Sequence, residues 1–492
     1  MTFHWEVWML STSSALFWLV FFSAGFALAG MAYARRVRGD LEDFIVARNS
    51  QGSVATVLTL LASSLGAWIL LSPPQAATWG GLAAVIGYAL GAMSPRLAMI
   101  PLGQRMRELM PRGHSLTEFL MARYGRPMYA LALLIMLFYM FIAMAAEITA
   151  IAMLVTLLAP VPLWLTAAIV LGFTLLYTAY GGLRASIFTD KVQIVIIVPL
   201  LLALVAIGWH AAGGARPVIE GLQQKAPQLL DLTDPVGIKA GLTFFVAILL
   251  TGIFHQGNWQ RIYSARSIGD MRRGFLLGGV LVVPFIFVMG LFGLAYVALA
   301  PGGDSSVALF SVVMPSLPVW MAVALIPLGL ALVMSSADTT ISAVSCIIAV
   351  DVGRLLPRAR PATLMRLARW LILLLAVPVM VVAAQGYSVL YLFLLADLLC
   401  AAAAFPVFFG LYSRGHDGFD ATVATLAGLA AGLLVFPRPG QPMDHLLEAF
   451  LLAALVPALV VGLLRLLRPR RTPFELQSLA ASVRRLDQPQ AD

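Results

Sequence analysis

Apolar runs of about 20 residues, the length a helix needs to cross a bilayer, recur along almost the whole chain. About thirteen can be drawn, near 10–34, 54–79, 81–102, 127–158, 162–180, 184–210, 236–257, 271–301, 317–352, 364–385, 387–413, 418–437 and 445–467. The expected fold class is therefore an all-α polytopic membrane protein. The first run precedes Arg35, Arg36 and Arg38 instead of following them. That reverses the charge order of a signal peptide and predicts a retained helix.

Two runs are interrupted. The second reads LASSLGAWILLSPPQAATWGG, with Gly66, Ser72, Pro73 and Pro74 breaking the apolar sequence, and the seventh ends TGIFHQGNWQRIYSARS around His255, Gln256 and Asn258. Irregular backbone at membrane depth is tolerated only where it is buried or lines a cavity. Paired breaks five runs apart predict an inverted repeat with its site between the halves. Two ordinary proline or glycine kinks would produce the same pattern.

The ninth run holds the densest polar cluster: Ser335, Ser336, Asp338, Thr339 and Thr340 within ALVMSSADTTISAVSCIIAVD. Unpaired hydroxyls and carboxylates are costly in hydrocarbon, so this cluster must face the protein interior, a wet cavity or an ion. Hydroxyl and carboxylate oxygens are hard ligands suited to a hard cation. Glu147, in FIAMAAEITAIAML, and Asp397, in LFLLADLLCAAAAFP, are further intramembrane acids, each a candidate for solute contact, coupling or a carboxyl bonded between helices. Asp190, next to Lys191, reads either as an interfacial ion pair or as a cation ligand. Trp68, Trp79 and Trp259 can stack on a ligand or mark the membrane interface. The small-residue runs Ala401–Ala404 and Gly428–Gly432 predict close helix contacts.

Charge orients the chain. Residues are 61% hydrophobic and only 11% charged, and the net charge of +9 concentrates in loops. The loops with Arg105, Arg107, Arg112, Arg123 and Arg126, with Arg261, Arg266, Arg272 and Arg273, and with Arg354, Arg358, Arg360, Arg366 and Arg369 all fall on one side. By the positive-inside rule that side is cytoplasmic, the N-terminus is outside, and a short tail, 471–492, is cytoplasmic and expected to hold no catalytic domain. The surplus is thus topogenic, with a bilayer rather than nucleic acid as partner. Cys346 and Cys400 both lie in spans, so no disulfide framework is expected. There is no HExxH, Walker lysine motif or CxxC in the chain, so neither an enzyme nor an ATP-driven pump is expected.

Four segments then resemble the sodium/solute symporter family, whose members carry proline, sugars, sialic acid, pantothenate, monocarboxylates and urea: ASSLGAWILLSPPQA, YTAYGGLRASIFTDKVQ, FHQGNWQRIYSARS and SSADTTISAVSCIIAVDVGR. They follow in the family's order over nearly the whole chain. The resemblance implies a leucine-transporter-like fold: one transmembrane domain, 1–470, with a ten-helix, five-plus-five inverted-repeat core whose repeats span about 54–210 and 236–413. It implies sodium as coupling ion, no organic cofactor, and a plasma or bacterial inner membrane.

Carried over residue by residue, the family's sodium site would use carbonyls of Ala62, Leu65 and Leu332 and hydroxyls of Ser335 and Ser336. A second sodium, where members have one, would use Asp190, Asp338 and Thr339. Solute contacts are expected from Ser64, Trp68, Gln75, Glu147, His255 and Gln256. Proline carriers hold an aspartate where this chain has Ser64, and sugar carriers an asparagine near His255, so neither contact set transfers. PRGHSLTEFLMARYG has a faint likeness to the urea and polyamine branch. The expected activity is sodium-coupled symport of a small polar solute such as an amino acid, a urea- or polyamine-like compound or a carboxylate. A proton-coupled carrier on the same fold and a transport-like sensor stay open. The sequence does not set the solute, the sodium stoichiometry or the oligomeric state.

Overall fold

A computed structural model describes residues 9–37, 40–299, 303–356, 358–438, 441, 443–468 and 473–483; of the expected tail, 471–472 and 484–492 lie outside the described residues. In chain order the helices are α1 (Thr12–Arg36), α2 (Leu41–Ile45), α3 (Ser53–Ala62), α4 (Ser72–Leu109), α5 (Leu116–Tyr124), α6 (Arg126–Leu158), α7 (Leu163–Ala211), α8 (Ala215–Lys225) and α9 (Pro235–Gly252). They continue with α10 (Gln256–Ser264), α11 (Ile268–Leu299), α12 (Ala308–Val313), α13 (Val319–Leu355), α14 (Pro361–Ala383), α15 (Val389–Phe409), α16 (Gly418–Val435) and α17 (Leu446–Leu467). Among the described residues the only β pairing is an isolated bridge between Gln51 and Ala265.

Eleven of these helices are long and apolar enough to cross a membrane. Two of the eleven, α4 and α7, are each a pair of helices meeting at a kink, at Gly81 (φ 61°) and Gly182 (φ 57°). Left-handed φ disfavours any residue with a Cβ. A Cβ at Gly81 would also strike the Leu229 backbone, and one at Gly182 the Phe44 carbonyl. Both kinks fall where the hydropathy pattern divides neighbouring apolar runs.

Burial separates centre from edge. The most apolar window of α13 is 78% buried and that of α15 72%, whereas α14 and α17 reach only 22% each. The polar helix is thus the innermost one, packed against α6 and α7, while α4 packs against α9 and α11. Gly428 and Gly432 of α16 let Ala449, Ala453 and Pro457 of α17 approach closely, as the small-residue pattern predicts. Trp259 departs from both of its expected roles. It is fully buried, donates to the Ile253 carbonyl at 2.8 Å and stacks on Phe408.

The basic loops gather at one end of the bundle. Arg107 donates to the carbonyls of Ile262 and Ala265, Arg48 to those of Pro111, Arg112 and Gly113, and Arg123 to those of Gly410 and Ser413. At this end the chain leading into α3 pairs with the end of α10, through Asn49 N–H to Tyr263 and Gln51 N–H to Ser264.

Candidate functional site

Two interrupted helices meet at the centre. Between α3 and α4 the chain leaves the helix at Ser63, turns through Gly66 and resumes as a short 3-10 turn, Ala67–Leu70. The helical ladder stops there. The Leu65 carbonyl accepts no backbone hydrogen bond among the described residues, and the Ala67 N–H donates to a Glu147 carboxylate oxygen at 2.8 Å. Glu147 comes from α6, is only 4% exposed, and lines the central cavity together with Trp68 and Ser336. A Cβ at Gly66 would overlap this carboxylate, so glycine is needed for its close approach. The side chain thus satisfies a backbone donor that the break leaves without a partner in the helix. The second break, between α9 and α10, is closed by His255, whose Nδ1 accepts from the Gly257 N–H at 3.1 Å, and by Asn258, which donates to the Gly252 carbonyl at 2.8 Å.

A cavity of about 140 Å³ lies between the breaks. Four of the six expected solute contacts line it: Ser64, Trp68, Glu147 and His255. Two do not. Gln75 instead accepts from the Ser388 hydroxyl at 3.1 Å, joining α4 to the start of α15. Gln256 is fully buried, its amide accepting from the Leu116 N–H at 3.0 Å and donating to the His114 carbonyl at 2.9 Å. It points toward the basic end because it stands one residue past the break, on the first turn of α10. Arg96, Tyr88, Tyr139 and Phe393 also line the cavity, beside Asp397. Nothing local in the sequence singles out the aromatics, but Arg96 carried a signal: an arginine in the apolar stretch AMSPRLAMI.

On α13, Ser336 lines the cavity together with Ser63 and Ser64 of the first break. Ser336 donates back to the carbonyls of Leu332 (3.1 Å) and Val333 (3.2 Å), and Ser335 donates to Asp190 at 2.9 Å. The Ala62 and Leu65 carbonyls stand at the end of α3 and just past it, so the expected donors are all oxygens, a chemistry that suits a hard cation.

The second cluster is arranged otherwise than the sequence suggests. Asp338 accepts from three hydroxyls of α7, Tyr177 (2.6 Å), Ser186 (2.7 Å) and Thr189 (2.9 Å). Asp190 pairs not with Lys191 but with Arg261, at 3.2 Å, and accepts from Thr59. Arg261, expected in a basic loop, is fully buried, because α10 runs from the central break toward the basic end and sets the guanidinium among Thr59 of α3, Asp190 of α7 and Thr339 of α13. Its Nη2 also donates to Thr339 at 2.7 Å and Thr59 at 3.1 Å. A fixed cation therefore contacts two of the three residues expected to hold a second sodium.

Below this layer lies a charged buckle. His114 faces carboxylates with both ring nitrogens: Nε2 is 2.6 Å from Glu42 and Nδ1 is 3.2 Å from Glu118. Burial opposes charge on the ring, but Glu118 and Glu42 outweigh it and hold the pKa up at about 9. Burial likewise opposes the charge of Glu42, yet His114 and Arg48 keep its carboxyl below the usual range. Ser115 and Glu118 form a capping box on α5.

Comparison with known proteins agrees with this architecture. The model of the sodium:solute symporter family matches residues 44–428. A spermidine transporter of Candida albicans is 24% identical over 84% of this chain and 78% of its own. The Escherichia coli sodium/pantothenate symporter is 28% identical over 54% of this chain, a stretch covering 57% of that carrier. Among solved structures, a sodium-coupled sialic acid symporter in a substrate-bound outward-open state superposes with a TM-score of 0.74 at 18% identity, covering 94% of this chain and 99% of that one. The nucleobase-cation symporter Mhp1 superposes with a TM-score of 0.61 at 13% identity, covering 89% and 98%. These two share the fold, that of leucine-transporter-like carriers. With interrupted helices enclosing a polar cavity beside an oxygen-rich central helix, and with the family's model matched over most of its length, the chain belongs to the sodium:solute symporter family.

Proposed function

We propose that this protein is a sodium-coupled symporter that moves a small polar organic solute across a cell membrane by alternating access, without covalent chemistry. One observation carries the reading: Glu147 bonds to the broken helix at Ala67 and lines the same cavity as Ser336. A single side chain thus joins the wall of the solute cavity to the expected sodium oxygens, so filling either position bears on the other. In this reading sodium is held by Ala62, Leu65, Leu332, Ser335 and Ser336. The ion replaces its water with about five protein oxygens, and a broken helix supplies carbonyls free to turn toward it. The repeats at about 54–210 and 236–413 rock about the site, with the basic loops cytoplasmic and the N-terminus outside.

We assign one sodium rather than two, because the Arg261 guanidinium already stands between Asp190 and Thr339. Asp338, bonded to three hydroxyls, orients α13 against α7. The cavity carboxylate Asp397 and the likeness to a spermidine transporter favour a solute bearing a cationic group.

The test is melting of the purified protein in sodium against potassium and choline at equal ionic strength, for the wild type and Ser336→Ala. A ligand that binds the folded state stabilises it by mass action. Sodium alone should stabilise the wild type, and loss of one ligand oxygen should weaken its apparent affinity about tenfold, equivalent to about 1.4 kcal/mol. Indifference to sodium combined with a steep dependence on pH would replace this reading with proton coupling.

A further inference from the structure

Three charged side chains line the central cavity, Arg96, Glu147 and Asp397. They are not equivalent. Glu147 is bound to the broken helix, so its charge is already answered by the protein. It occupies the Ala67 N–H at the break, which closes that donor to a solute carboxylate.

The other two remain. Asp397, 6% exposed on α15, makes no ion pair among the described residues; its neighbour is the Thr251 hydroxyl. Arg96 of α4 donates to the Ala92 carbonyl and to Ser64, leaves its buried Nε without a partner, and likewise makes no ion pair among the described residues. Opposite charges that share one low-dielectric cavity yet do not pair with each other are costly unless something answers both. Both side chains line the same cavity, with Tyr139 also in its wall, so the two flank one space.

The surroundings differ in kind. On α15, Phe393 stands one turn before Asp397, on the same face of the helix. Trp68 packs edge-on to Phe393 at 6.0 Å and stacks on Tyr88 at 5.7 Å. A carboxylate beside aromatic faces suits an ammonium or other organic cation. A guanidinium with a free N–H beside a serine hydroxyl suits a carboxylate or another anionic oxygen group.

We propose that the solute is a zwitterion, a small organic molecule with its cationic group at Asp397 and the aromatic faces and its anionic group at Arg96. This deepens, and rests on, the sodium-symport reading given above. The carboxylate is received at Arg96 rather than at the helix break. Selectivity then follows from double occupancy: a solute with one charge leaves the opposite side chain buried without its counter-ion.

The test uses the full-length purified protein, melted in sodium and in choline with matched probes. The zwitterions are glycine, β-alanine, 4-aminobutyrate, 5-aminovalerate and glycine betaine; the controls that carry charge of one sign only are the cations n-butylamine, putrescine and spermidine and the anions acetate and butyrate. At least one zwitterion should stabilise in sodium, with its matched amine and acid binding about tenfold or more weakly, the worth of one hydrogen bond to a charged group. Asp397→Asn and Arg96→Gln should each lose that discrimination while keeping the sodium shift, which also shows that they fold. The proposal is overturned if the amines bind as well as any zwitterion and Arg96→Gln leaves them unchanged, or if the acids do so without need of Asp397. It is also overturned if sodium stabilises and no zwitterion does. Absence of any sodium shift in the wild type would instead overturn the symport reading beneath it.

Discussion

On the proposed single-sodium site, replacing Arg261 by alanine should open a place for a second sodium. The guanidinium is fully buried and bonded to Asp190, Thr59, Thr339 and the Gly257 carbonyl. Its removal leaves the Asp190 carboxylate without a counter-charge, a change that costs about 3–5 kcal/mol when a buried pair is broken from one side. In choline the variant should be destabilised by roughly that amount. Sodium can enter the space left behind, where Asp190, Thr59 and Thr339 offer oxygens. At a concentration a hundred times its Kd, an ion binding only the folded state returns about 2.7 kcal/mol. The sodium-dependent part of the stability should therefore roughly double, from one such increment to two, while Arg261→Lys, which keeps a cation in place, retains a single increment. The assay is apparent melting temperature across a sodium titration at constant ionic strength, with equilibrium binding of radioactive sodium to count ions per chain. Two ions bound to the wild type, or an alanine variant whose sodium response matches the wild type, would refute the assignment of Arg261 as a built-in cation.

Two further outcomes follow from the geometry. His114 has a folded pKa near 9 against an ordinary value of 6.5, so its contribution is fully present below pH 6.5 and is lost as pH rises through 9. At 1.36 kcal/mol per unit this amounts to roughly 3 kcal/mol. Glu42 and Glu118, held below 4.5, contribute above that pH and lose their contribution as it falls. Melting measured between pH 6.5 and 9 should slope downward in the wild type and flatten in His114→Asn. Gly66→Ala should drive the Glu147 carboxylate off the Ala67 N–H. A loss of about 1–3 kcal/mol is expected from overpacking. Sodium and solute affinity should fall together in ligand-dependent melting, whereas a variant that loses neither would remove Glu147 from the coupling.

The membrane fold was legible in the chain because span length and apolarity are local quantities, as are the breaks at Gly66 and around His255. The polar cluster Ser335–Thr340 was legible for the same reason, since five polar residues in one apolar run have few places to go. The lining of the central cavity was legible in part: Ser64, Trp68, Glu147 and His255 stand close to a break or inside a span, where their polarity or size is conspicuous. Pairings were not legible. Glu147 meets Ala67 across 80 residues and Arg261 meets Asp190 across 71, and no spacing along the chain encodes such distances. Arg261 shows the limit most clearly. From sequence it is one basic residue among several near a span end, and it takes the rotation of α10 beneath its break to bury it beside Asp190. The sequence by itself determined which residues must leave lipid, because the cost of a polar group in hydrocarbon is a property of that group. Only the tertiary structure decided what answers each one, whether another side chain, an ion or a solute, because that depends on which helices pack face to face.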